Sequence, residues 1–182
     1  MQHRFLLAAV VAVAGCRDSG DAERLVAPAV SVTHRHQSAG RPAGPLPENE
    51  LTRVRIATAR YHDIQAALAD GYIDINVVLP NMGRHLLRPE VPPVEGEVPV
   101  DGGFDLERPE LLVYSPAANG NLKLVAVEYA VPRRLFAAPP EGFTGTADVW
   151  FDDSGFKLWT LHAWVWRENP DGIFHATNSQ VP

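Results

Sequence analysis

Residues 122–131 read LKLVAVEYAV, an apolar run in which Lys123 and Glu128 are the only charged residues. Its Val and Tyr content suits a pleated strand. Strand side chains alternate between faces, so Leu122, Leu124 and Ala126 fall on one side, and Val125, Val127, Tyr129 and Val131 on the other. Both sides are apolar, so both need cover. One face is expected to pack on a helix, the other to be closed by sheet curvature or a second layer.

The rest of the pattern supplies those parts. Leu51, Val54, Ala57, Tyr61, Ile64 and Leu68 recur every three or four residues, which is the stripe of one amphipathic helix. Asn49 suits its N-cap, Glu50 its positive first turn, and Gly71 its stop. Ile73, Ile75, Val77 and Leu79 alternate with Asp74, Asn76 and Val78 as a strand, and residues 82–87 form a weaker one. Residues 111–114 pair with 122–131 as a hairpin, because Asn119-Gly120 lies in the turn between them. Residues 148–151 and 156–167 form a second pair, joined through Asp152-Asp153-Ser154-Gly155. Residues 90–110, with Pro92, Pro93, Pro99 and Pro109, read as a long loop. The expected fold is α+β, one amphipathic helix packed against a curled antiparallel sheet, with a flattened β-barrel or roll as the alternative.

The N-terminus reads as an address. Residues 5–14 are unbroken apolar, too short to span a bilayer but suited to a signal-peptide core. Val13-Ala14-Gly15-Cys16 then looks like a lipobox, and Cys16 is the only cysteine. The expected organisation is a lipoprotein signal peptide over 1–15, a lipidated Cys16 with a flexible tether over 16–47, and a globular domain over 48–182. Such a chain would sit on a membrane of the bacterial cell envelope through its lipid. Arg17 after the cysteine favours the outer membrane.

Composition narrows the function. A net charge of −6 argues against nucleic acid or an anionic surface as partner. One cysteine excludes a disulfide framework and a multi-Cys zinc site. No glycine-rich phosphate loop, GxSxG elbow or HExxH helix is present. The acidic residues between Glu90 and Glu110 lack the dense spacing of a calcium loop.

Candidate chemistry rests on strand parity. His162 shares a face with Leu158, Thr160, Trp164 and Trp166, and Glu128 with Leu124 and Ala126, so each interrupts an apolar surface. Buried ionisable groups are costly unless paired or bound. His85 on the short strand and His62 beside the helix stripe complete the candidate set. Three readings stay open. Some subset of His62, His85, Glu128 and His162 holds a divalent metal ion. Alternatively, Glu128 and His162 act as an acid/base pair on a small substrate. In the third reading Glu128 binds Arg84, Arg133, Arg134 or backbone donors, while the histidines are satisfied core residues. Trp164, Trp166 and Tyr129 are candidates to line a pocket for a small ligand, or simply core.

Several blocks resemble a group of uncharacterised bacterial exported proteins and lipoproteins. They are Ala57-Thr58-Ala59-Arg60-Tyr61-His62-Asp63-Ile64 with Ala69-Asp70-Gly71-Tyr72, Met82-Gly83-Arg84-His85, Leu124-Val125-Ala126-Val127-Glu128-Tyr129, and Leu161-His162-Ala163-Trp164-Val165-Trp166 with Asn169-Pro170. The chain differs from the group at Arg84, where an aromatic is expected, and at its C-terminus, where a longer Asn-Pro-containing end is expected. The resemblance implies an envelope location and a compact domain with these His and Glu positions, but no particular activity.

Overall fold

The computed structural model describes residues 47–182. The expected signal peptide, Cys16 and most of the expected tether lie outside the described residues. The helical segment comes first and is broken where one helix was expected. Helix α1 spans Glu48–Thr58, a 3-10 turn covers Ala59–His62, and α2 spans Ile64–Ala69. The break is at Asp63, whose backbone is extended (φ −87°, ψ 108°) and whose carboxylate accepts from the Gln65 amide at 2.9 Å. A short acid that can bond its own backbone favours a cap over a helix interior. The break resets the helical phase, so Ala67 is fully buried while Leu68 is 42% exposed. At the other end α1 follows Pro47 and has no side-chain cap. Asn49 therefore lies inside the first turn instead of capping it. Gly71 does terminate the segment, at φ +90°. No helix among the described residues is long and apolar enough to cross a membrane.

Six strands follow, β1 (Ile73–Leu79), β2 (Gly83–Leu87), β3 (Leu111–Pro116), β4 (Leu122–Pro132), β5 (Phe151–Asp153) and β6 (Leu158–Ala163). They form one antiparallel sheet in the order β1-β2-β3-β4-β6-β5. The sheet is curled but not closed, so the fold is α+β and not a barrel. Two bulges bend it. One lies in β1 between Asp74 and Val77, with Asn76 left-handed at φ 57°. The other leaves Val125 of β4 as the extra residue between Val113 and Tyr114 of β3.

The Val125 bulge corrects the expected parity. Leu124 joins Val127 and Tyr129 on the helix side, while Val125 and Ala126 both lie on the opposite side. Glu128 therefore shares its face with Ala126 but not with Leu124. The helix-side core packs Leu51, Val54 and Tyr61 on Leu86, Leu112, Tyr114, Tyr129 and Leu161. Its buried phenols are satisfied, since Tyr114 donates to the Tyr61 carbonyl at 2.7 Å and Tyr129 to the Leu106 carbonyl at 2.8 Å.

Irregular chain covers the second face in two patches. Val98 and Val100 of the long loop pack on Leu87, Leu111, Ala130 and Leu158. Ile173 and Val181 near the C-terminus pack on Val113, Val125, Ala126 and Trp164. The acidic residues of the loop spread over separate partners. Glu90 pairs with Arg88, Glu97 with Arg134 and Glu107 with Arg53, and Glu110 accepts from the Ala130 amide.

Candidate metal centre

The ladder brings three of the four expected residues together. Glu128 of β4 is directly opposite His162 of β6, and two strands away β2 carries His85. All three turn to the second face, where Glu128 and His162 form a row that continues through Leu111 to Leu87, and His85 stands one step along β2, opposite Val113. Along β4 that row separates Ala130 from Ala126, and along β6 it separates Leu158 from Trp164. The side chains are 3% (His85), 7% (Glu128) and 1% (His162) exposed.

Their donor atoms converge. His85 Nε2 lies 3.5 Å from Glu128 Oε2, and His162 Nδ1 lies 3.6 Å from Glu128 Oε1. One donor atom from each residue falls within 4.8 Å of the other two. A tetrahedral ion with bonds of about 2.1 Å spaces its ligand atoms by roughly 3.4 Å. The two His–Glu spacings, each to a different oxygen of Glu128, are near that value, and the group could hold an ion.

Neighbouring groups orient two of the ligands. His85 Nδ1 contacts the Val77 carbonyl at 3.4 Å, across the bulge of β1. A proton on Nδ1 leaves the Nε2 lone pair facing Glu128, the arrangement common behind metal-bound histidines. The Thr160 hydroxyl, on the same face of β6, favours the ionised form of the Glu128 carboxyl. His162 stacks on Trp164 with centroids 5.8 Å apart, yet neither of its ring nitrogens has a hydrogen-bond partner. Two orphaned buried nitrogens are expensive, at about 1–3 kcal/mol each.

Electrostatics push the same way. Burial lowers His85, with Glu128 opposing and His162 adding to the effect. Burial also takes His162 down to about 3, against the pull of Asp153. Glu128 rises to about 7, because burial and Asp153 outweigh the neighbouring His85 and the Thr160 hydroxyl. Both imidazoles are therefore neutral at pH 7, as ligands must be, and a cation would displace the carboxyl proton.

The remaining candidates lie elsewhere. His62 is exposed and packs edge-on against Trp166, with centroids 4.4 Å apart. Trp166 does not share a face with Trp164, because β6 ends at Ala163. There the Val165 amide turns back to the Ala163 carbonyl at 2.8 Å, and Trp166 swings to donate to Thr58 of α1 at 3.1 Å. Tyr129 belongs to the helix-side core. Trp164, Trp166 and Tyr129 therefore do not line one pocket.

The arginines named for Glu128 are engaged with other acids. Arg84 binds Asp74, Arg133 binds Asp152 and Arg134 binds Glu97. The Arg84 side chain thus does not intrude on His85. Strand parity signalled Thr160 and Trp164, but nothing in the sequence signalled Val77, whose carbonyl is aimed by a bulge.

Compared with protein-family models, curated proteins and solved structures, the chain matches none of them.

Proposed function

We propose that this domain binds one divalent transition-metal ion through His85, Glu128 and His162, in a protein held at the bacterial envelope by a lipid on Cys16. The observation that carries the metal reading is the isolation of His162. Its imidazole is buried with both nitrogens unpartnered, a few ångströms from a carboxylate and a second imidazole. Two imidazoles and a carboxylate suit zinc, iron, manganese or copper, whereas calcium and magnesium prefer all-oxygen shells. A plain structural role would leave these groups satisfied by an arginine or by backbone donors. The envelope part rests on the sequence between Met1 and Cys16 and on the resemblance to bacterial exported proteins and lipoproteins.

The test is elemental analysis of the full chain carrying Cys16→Ser, purified without chelator, followed by titration with zinc. About one ion per chain is expected, with binding lost in His162→Ala and Glu128→Gln. Absence of stoichiometric metal, with no change in melting temperature on adding zinc, manganese, iron or copper, would refute the reading.

A further inference from the structure

Accepting the metal reading, the coordination sphere supplied by the protein is incomplete. Among the described residues, the group of His, Asp and Glu side chains that can share an ion has three members. All three project from one face of one sheet, on β2, β4 and β6. Donors that all come from the sheet side occupy one side of an ion. The positions pointing away from the sheet then lie between the loop patch around Val98 and Val100 and the C-terminal patch around Ile173 and Val181. The patch residues named are apolar, and His175 and Asp153, which act on His162 electrostatically, lie outside the group whose donor atoms converge. Four-coordinate structural sites are closed by protein ligands, whereas a three-ligand set leaves room for an exchangeable one.

We infer that the ion held by His85, Glu128 and His162 keeps an open position, filled by water, which exchanges for a small anion. Burial limits what can reach it. With the three side chains no more than 7% exposed, a polymer or bulky substrate has no access. Such burial would admit only a ligand of a few atoms, such as hydroxide, azide or a small carboxylate. The apolar surroundings favour an anion on the ion, because a cation in a low-dielectric site attracts opposite charge strongly.

Cobalt(II) loaded onto the full chain with Cys16→Ser provides the readout, since its visible bands report coordination number and ligand exchange. The replacement removes the one thiol that could compete for the metal. One cobalt per chain is expected, with bands that shift on titration with azide and saturate at one azide per cobalt. Stoichiometric cobalt whose spectrum does not respond to excess azide would overturn the inference and leave the metal reading standing. Failure to bind cobalt or zinc at all would overturn both.

Discussion

If His162 is retained for a ligand, replacing it with an apolar residue should stabilise the metal-free fold. The side chain is 1% exposed, lies in the interior of β6, and leaves one donor and one acceptor unmet. Removing two unmet groups recovers roughly 2–6 kcal/mol of desolvation cost. Against that, His162→Leu loses the stacking on Trp164, about 0.5–1.5 kcal/mol, and incurs a misfit of up to about 1.5 kcal/mol. Taking the middle of each range, the expected net gain is about 2 kcal/mol. Urea unfolding followed by tryptophan fluorescence at pH 7, with chelator present, measures it. The same titration with zinc should reverse the order. At free zinc of about 100 times the dissociation constant, wild type gains roughly 2.7 kcal/mol and the variant gains nothing. A metal-free His162→Leu less stable than wild type by more than about 1 kcal/mol at unchanged m-value would refute the reasoning. Equal stabilisation of both proteins by zinc would do so too.

Other consequences follow from the same geometry. Zinc binding at pH 6 should release close to one proton per ion, because Glu128 titrates near 7 and the imidazoles are already neutral. Calorimetry in buffers of different ionisation enthalpy counts those protons, and near-zero release would mean an ordinary, already ionised carboxylate. In the metal-free protein the unfolded chain takes up protons on His162 as pH falls from 6.5 toward 3, which lowers stability. Glu128 holds its proton in the fold and acts oppositely between pH 7 and 4.5, so Glu128→Gln should steepen the acid loss. Coincident plots of unfolding free energy against pH for the two proteins would contradict this. Gly83→Ala should cost about 2 kcal/mol or more in urea unfolding, since its φ is +86° and a Cβ there would lie 2.5 Å from the Tyr114 carbonyl oxygen; a loss under about 0.5 kcal/mol would show that β2 yields easily. His62→Ala should leave zinc affinity unchanged, and a tenfold loss by calorimetry would place His62 at the ion after all.

Local chemistry made much of the architecture legible. Asn119-Gly120 and the apolar runs beside it marked the β3–β4 hairpin, and Gly71 marked the end of the helical segment. Parity placed His162 beside Thr160 and Trp164, because period two holds wherever a strand is regular. Each parity error occurred where that regularity stopped. Val125 bulges, which moved Leu124 to the helix side, and the turn at Val165 carried Trp166 away from Trp164. Asp63 broke a helix whose apolar spacing had looked continuous, because a side chain that bonds its own backbone competes with the helical ladder.

What the sequence alone determined was therefore a set of elements, the apolar faces they had to bury, and the polar residues interrupting those faces. Strand order, and with it the meeting of His85, Glu128 and His162, was decided by tertiary structure. Those residues are 43 and 34 positions apart in the chain, yet the ladder β2-β3-β4-β6 pairs Glu128 with His162 and brings His85 to the same face, one step off that pair. Alternation says which way a side chain points relative to its own strand. Which strands lie side by side depends on how the whole apolar surface is covered, a property of the folded chain and not of any segment of it.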